Sequence, residues 1–152
     1  MQDNTNTDAD NIFNTWHLYQ KIVSFNNMFH KEIYADVAQV LSTVKDGFAL
    51  LDLGCGDASN LASVLAELPI ADYYGVDLSQ TALDLAKNNL GALSCSTYFN
   101  NTDMLQAVQE VEEQFDVIFT SFALHHLSLQ QKELFFKAAY SRLKRGGFLL
   151  MI

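Results

Sequence analysis

The sequence predicts an α/β chain built as a doubly wound parallel sheet with helices on both faces. Three observations predict it. From Phe48 onward, short apolar runs of strand length alternate with segments whose apolar residues recur at helical spacing. The links between these segments are short, as sequential strand–helix units require. The runs at 48–53 and 115–120 are nearly continuous in apolar residues, as strands covered on both faces must be.

The elements follow in order. Residues 1–11 are polar and rich in Asn, Asp and Thr, and read as a frayed, disordered tail. Residues 12–44 form an N-terminal helical part: Ile12, Trp16 and Tyr19, then Ile33, Val37, Val40, Leu41 and Val44, fit two helices breaking near Asn26-Asn27. Residues 45–152 form the sheet domain. Its first strand, 48–53, ends in a glycine turn, and Leu61, Val64, Leu65 and Leu68 mark a helix stopped by Pro69. The second strand is 73–77. Ser79 then caps a helix running to about Leu90. Residues 96–99 and 115–120 are the third and fourth strands. A helix over 129–143 stops at Arg145-Gly146-Gly147, and 148–152 is the fifth strand.

Composition narrows the partners. The chain has 152 residues, 49% of them hydrophobic, enough for one domain with a real core. A net charge of −9 argues against a nucleic-acid partner and suits a neutral or cationic small molecule. Cys55 and Cys95 form no CxxC pair and read as reduced thiols. No apolar run approaches the length of a membrane span, and the N-terminus lacks the basic start of a signal peptide, so a cytoplasmic location is expected. His17 and His30 have no companions at metal-ligand spacing, so no metal site is expected. Glu110, Glu112 and Glu113 read as a solvated helix end.

In a sheet of this class, ligands bind outside the carboxyl ends of the strands. The first strand end carries Asp52-Leu53-Gly54-Cys55-Gly56-Asp57-Ala58. Its glycines let the backbone turn sharply and let a ligand approach closely. An acidic opening residue would repel a pyrophosphate but suits a ligand with an amino group and a sulfonium. The plain alternative is a strand-to-helix turn with Asp57 as a local cap. Asp77 ends the second strand, about 20 residues beyond Gly56, where an acid can accept bonds from ribose hydroxyls. Turn chemistry ahead of Ser79 is its other reading. Asp103 follows the third strand and can accept from an adenine amino group, with Met104 or Leu105 packing on the ring. Its other reading is a cap of the next short helix.

These residues, with Thr120-Ser121-Phe122-Ala123-Leu124-His125-His126 after the fourth strand, resemble the class I S-adenosylmethionine-dependent methyltransferases. The resemblance runs from about residue 30 to the C-terminus. The segment 124–127, Leu-His-His-Leu, is similar to the branch acting on small molecules, lipids and quinones. The resemblance implies a Rossmann-like, three-layer αβα fold and a methyl transfer from S-adenosylmethionine, leaving S-adenosylhomocysteine, to a small-molecule acceptor. The cofactor-binding set it implies is Asp52, Gly54, Cys55, Gly56, Asp77, Leu78, Asp103, Met104 and Ser121. Two departures stand out. Ala58 occupies the place of the first motif's usual third glycine. The family's strand order, 3-2-1-4-5-7-6, continues past the fifth strand, whereas this chain stops at Ile152. The resemblance therefore implies a sheet lacking its last two strands, with 148–152 as an apolar edge open to self-association or a covering partner.

His125 and His126 are the candidate general bases, although an in-line methyl transfer is helped mainly by alignment. Trp16 and Tyr19 either anchor an N-terminal helix or contribute to a lid. Two rival readings remain: a non-catalytic cofactor-binding or partner subunit with this fold, and an NAD(P)-dependent oxidoreductase. Asp52, and Ser59 where a glycine or alanine is expected, count against the second rival.

Overall fold

A computed structural model describes residues 29–152. The expected tail at 1–11 and the first N-terminal helix, with Trp16, His17 and Tyr19, lie outside these residues. The elements run α1 (His30–Leu41), β1 (Phe48–Leu53), α2 (Ser59–Leu65), β2 (Ile70–Asp77), α3 (Gln80–Leu90), β3 (Ser96–Asn101), α4 (Met104–Glu110), β4 (Phe115–Thr120), a 3-10 turn (Leu124–His126), α5 (Leu129–Arg142) and β5 (Leu143–Met151). The five strands are parallel in the order β3-β2-β1-β4-β5, the doubly wound arrangement that the alternating pattern predicts. No helix among the described residues is long and apolar enough to cross a membrane.

The sheet has a hydrophobic core on each face. On one, Phe48 and Leu50 of β1 pack with Val117 and Phe119 of β4 against Leu41 of α1, Leu61 and Leu65 of α2, and Leu90 of α3. On the other, Ala49, Leu51 and Leu53 meet Val108 of α4 and Phe135 and Ala139 of α5. Successive residues of β1 thus feed opposite layers, and all six are buried. The same holds for β4, which explains why both runs lack the polar alternation of a one-sided strand.

Local signals set the helix starts. Ser79 accepts a bond from Ala82 N and begins α3, and Ser128 with Gln131 forms a reciprocal capping box at α5. Asp103 caps α4 by accepting from Leu105 N and Gln106 N.

Three boundaries differ from the sequence expectation. β2 begins at Ile70 directly after Pro69, because Ile70 pairs with Phe48 despite the polar Asp72 that follows. β3 continues to Asn101, paired with Asp77. The Arg145-Gly146-Gly147 segment does not end α5 ahead of a strand at Phe148; it is an irregularity inside β5. Leu143 already pairs with Phe115, and the ladder resumes at Val117 and Phe148. Gly146 takes φ +84°, and a Cβ on Gly147 would lie 2.8 Å from Asp116 O, so this bulge needs both glycines.

The sheet end opposite the strand carboxyl termini is pinned by Asp116. Its Oδ2 accepts from Ala49 N at 2.9 Å and from Lys144 Nζ at 2.7 Å, and Lys45 Nζ lies 3.4 Å from Oδ1. One buried carboxylate thereby joins the starts of β1 and β4 to the β5 bulge.

Candidate cofactor cleft

The carboxyl ends of β1, β2 and β4 surround a cleft of about 290 Å³. Its floor is the loop after β1. Gly54 N and Cys55 N both donate to Val76 O, at 2.8 and 2.9 Å, which turns the chain off the sheet. Gly54 holds φ +78°, and a Cβ there would sit 2.6 Å from the Ala123 Cβ. Glycine is required twice over at this position, by backbone conformation and by space. Gly56 (φ 55°) and Ala58 (φ 52°) are also left-handed. The missing third glycine therefore falls at a position whose backbone favours glycine.

Asp77 ties this loop to the next. Its Oδ2 accepts from Gly56 N and its Oδ1 from Ser79 N, each at 2.9 Å. Asn101, which the sequence reading passed over, donates from Nδ2 to Asp77 O and Leu78 O. Leu78 is left 72% exposed at the rim, an apolar surface with no core to cover it.

Asp52 is the deepest acid. It is 2% exposed, yet it contributes to the cleft wall. Burial pushes its carboxyl up to about 7; a hydrogen bond from Tyr73 Oη at 2.8 Å works against that rise, and the charge of Asp77 adds to it. Burial also pushes the neighbouring Cys55 thiol well up, with Asp52 and Asp77 contributing, so Cys55 is an uncharged wall of the site.

The structure gathers most of the residues singled out from the sequence. Asp52, Gly54, Cys55, Gly56, Asp77, Leu78, Met104 and Ser121 all line the cleft. Asp103 is not among the lining residues; its Oδ1 takes both bonds of the α4 cap, while its neighbours Thr102 and Met104 reach the cleft. His126 lines the cleft and His125 does not, their rings lying 3.9 Å apart. Two contributors carried no clear sequence signal. Tyr34 of α1 reaches across to donate to Ser121 Oγ at 3.2 Å, and Phe122 holds a strained left-handed backbone, φ 52°, at the mouth.

The electrostatic character is one-sided. Asp52, Asp57 and Asp77 line the cleft, and no Lys or Arg is among its described lining residues. Such a site complements positive charge and offers a phosphate no counter-ion.

Comparison with known proteins agrees with this geometry. Residues 51–149 match the model of the family described as a methyltransferase domain. An uncharacterized methyltransferase of Anoxybacillus flavithermus is 30% identical over 139 residues, covering 90% of this chain and 62% of its own length. A carboxy-S-adenosyl-L-methionine synthase of Campylobacter hominis is 24% identical over 135 residues, covering 88% and 56%. The solved SAM-dependent methyltransferase of Thiobacillus denitrificans, in complex with S-adenosyl-L-homocysteine, superposes with a TM-score of 0.63 at 26% identity, covering 79% of this chain and 47% of that one. The chain thus spans about half to three-fifths of the lengths of these proteins. With the family model matching well over half of the sequence on the expected sheet, the chain belongs to the methyltransferase-domain family, with its Rossmann-like class I architecture.

Proposed function

We propose that the cleft binds S-adenosylmethionine and that the protein transfers its methyl group to a small-molecule acceptor. The observation that carries this reading is the pairing of a glycine loop with three carboxylates and, among the described lining residues, no Lys or Arg. A dinucleotide brings two phosphates that this wall would repel, whereas S-adenosylmethionine brings an ammonium and a sulfonium. The residues present fit it. Gly54 and Gly56 leave the loop without side chains where the cofactor approaches. The relative from Campylobacter hominis, whose name refers to a small S-adenosylmethionine derivative, supports small-molecule chemistry.

Each residue then has a task. Asp77 accepts from the ribose hydroxyls with the lone pairs left over from its bonds to Gly56 and Ser79. Leu78 and Met104 supply apolar surfaces for the adenine, and Asp103, which lies beside the lining residues Thr102 and Met104, keeps its Oδ2 free of the helix cap as an acceptor for the amino group. Asp52 supplies negative charge at depth. The bound cofactor contributes an electrophilic methyl on a sulfonium. Where the acceptor is an O–H or N–H group, one proton leaves as the methyl arrives. In this reading His126, the histidine that lines the cleft, takes that proton on its imidazole.

Thermal unfolding with added ligand tests this reading. S-adenosylmethionine and S-adenosylhomocysteine are expected to raise the Tm in proportion to their occupancy, and NAD is expected to leave it unchanged. Stabilisation by NAD alone would contradict the assignment.

A further inference from the structure

Tyr73 lies in β2 under the cleft and is fully buried in the core that also holds Phe48, Leu50 and Leu90. Its hydroxyl is the one side-chain polar atom it brings there; it donates to Asp52 Oδ2 at 2.8 Å and also meets the Cys55 thiol. The strand register explains the reach. Leu50 pairs with Tyr73 and Asp52 with Gly75, so Tyr73 starts two residues short of the acid and its ring must lean along β2 across Gly75. Gly75 makes that possible. A Cβ there would lie 2.9 Å from Tyr73 Cε1, 3.1 Å from Phe99 Cδ1 and 3.2 Å from Cys55 Sγ. Its φ is not positive, so space accounts for the glycine and backbone conformation does not.

We propose that Tyr73 is a positioning residue for cofactor binding: its phenol, seated over Gly75, holds the Asp52 carboxylate to the cleft as counter-charge for a cationic cofactor. The proposal rests on the S-adenosylmethionine reading of the cleft. A buried carboxylate without a donor would take up a proton and lose its attraction for a cation. The hydrogen bond from Tyr73 opposes this, and no other hydrogen-bond donor to Asp52 is found among the described residues. The titratable groups around Asp52 are Tyr73 beneath it, the Cys55 thiol beside it and Asp77 at the end of β2; Tyr34, Asp57 and His126 line the same cleft.

The test is the pH dependence of S-adenosylmethionine binding, measured calorimetrically between about pH 6 and about pH 9 on wild type, Tyr73→Phe and Asp52→Asn. Wild-type affinity is expected to rise through a midpoint near 7 as Asp52 ionises. In Tyr73→Phe the rise moves to higher pH. Affinity at neutral pH then falls about tenfold, as expected for losing a bond to a charged group, and rejoins wild type in alkali. Asp52→Asn shows no such rise. A purely structural role for Tyr73 predicts the wild-type midpoint with affinity unchanged or uniformly reduced, and either result overturns the proposal. Wild type that binds no S-adenosylmethionine at any pH overturns the cofactor reading, and the proposal with it. Should Tyr73→Phe not fold, biosynthetic replacement of tyrosine by the more acidic 3-fluorotyrosine, in a Tyr34→Phe background, is expected to move the rise to lower pH. An unmoved midpoint there overturns the proposal equally.

Discussion

Asp77 and Gly56 are joined by a 2.9 Å hydrogen bond, the Gly56 N–H donating to the Asp77 Oδ2, which ties the turn between β1 and α2 to the end of β2. The acid that the sequence offers as a ribose ligand is therefore also the residue that shapes the glycine loop. Asp77→Ala is expected to cost about 1–2 kcal/mol of stability in the free protein, since the Gly56 and Ser79 amides both lose their acceptor. Denaturant unfolding measures it.

Gly54 makes a sharper demand. Gly54→Ala combines a left-handed backbone with a contact of 2.6 Å to the Ala123 Cβ. The expected loss is about 2–4 kcal/mol, adding conformational strain to overpacking. The double variant with Ala123→Gly should recover the overpacking part only. A double-mutant cycle showing no coupling would argue against the contact.

Ala58 offers the opposite change. Because its φ is 52°, Ala58→Gly should raise stability by up to about 1 kcal/mol, the relief of strain exceeding the added chain entropy. Thermal unfolding of the variant checks the sign.

Asp116 and Asp52 give opposite pH signatures. Burial alone would raise Asp116, but the bonds from Ala49 N and Lys144 and the Lys144 charge outweigh it, so its pKa is lowered on folding. Its contribution is present above the ordinary carboxylate range and lost as pH falls through the lower folded value. Asp116→Ala should cost about 2–3 kcal/mol near neutrality and flatten the acid limb of the stability curve. Asp52 is raised, to about 7, so its contribution is full below its unfolded value and is lost as pH climbs towards 7. Asp52→Asn should remove that decline. Urea titrations across this range separate the two.

How far these features could be read from sequence depends on whether they are local. β1 and β4 were legible to the residue because both faces are buried, and the start of α3 because Ser79 caps its own turn. The glycine loop and Asp77 declared themselves through motif and spacing. The β5 bulge did not, because Gly146-Gly147 resembles a helix stop until the pairing of Leu143 with Phe115 is known. Tyr73–Asp52 and Tyr34–Ser121 were illegible for a related reason: they join residues 21 and 87 positions apart that only the parallel register and the packing of α1 bring together. Asp103 was ambiguous in sequence because one carboxylate can cap and bind; the structure displays the cap.

The central claim is that this acidic, glycine-floored cleft holds S-adenosylmethionine with Asp77 on its ribose. Calorimetric titration of S-adenosylmethionine into wild type and Asp77→Ala, at a pH where both are folded, tests it most directly. Wild type should bind with one-to-one stoichiometry, and the variant should lose roughly 1–3 kcal/mol of binding free energy. Equal affinity in the two proteins, or no binding to wild type, would contradict the account.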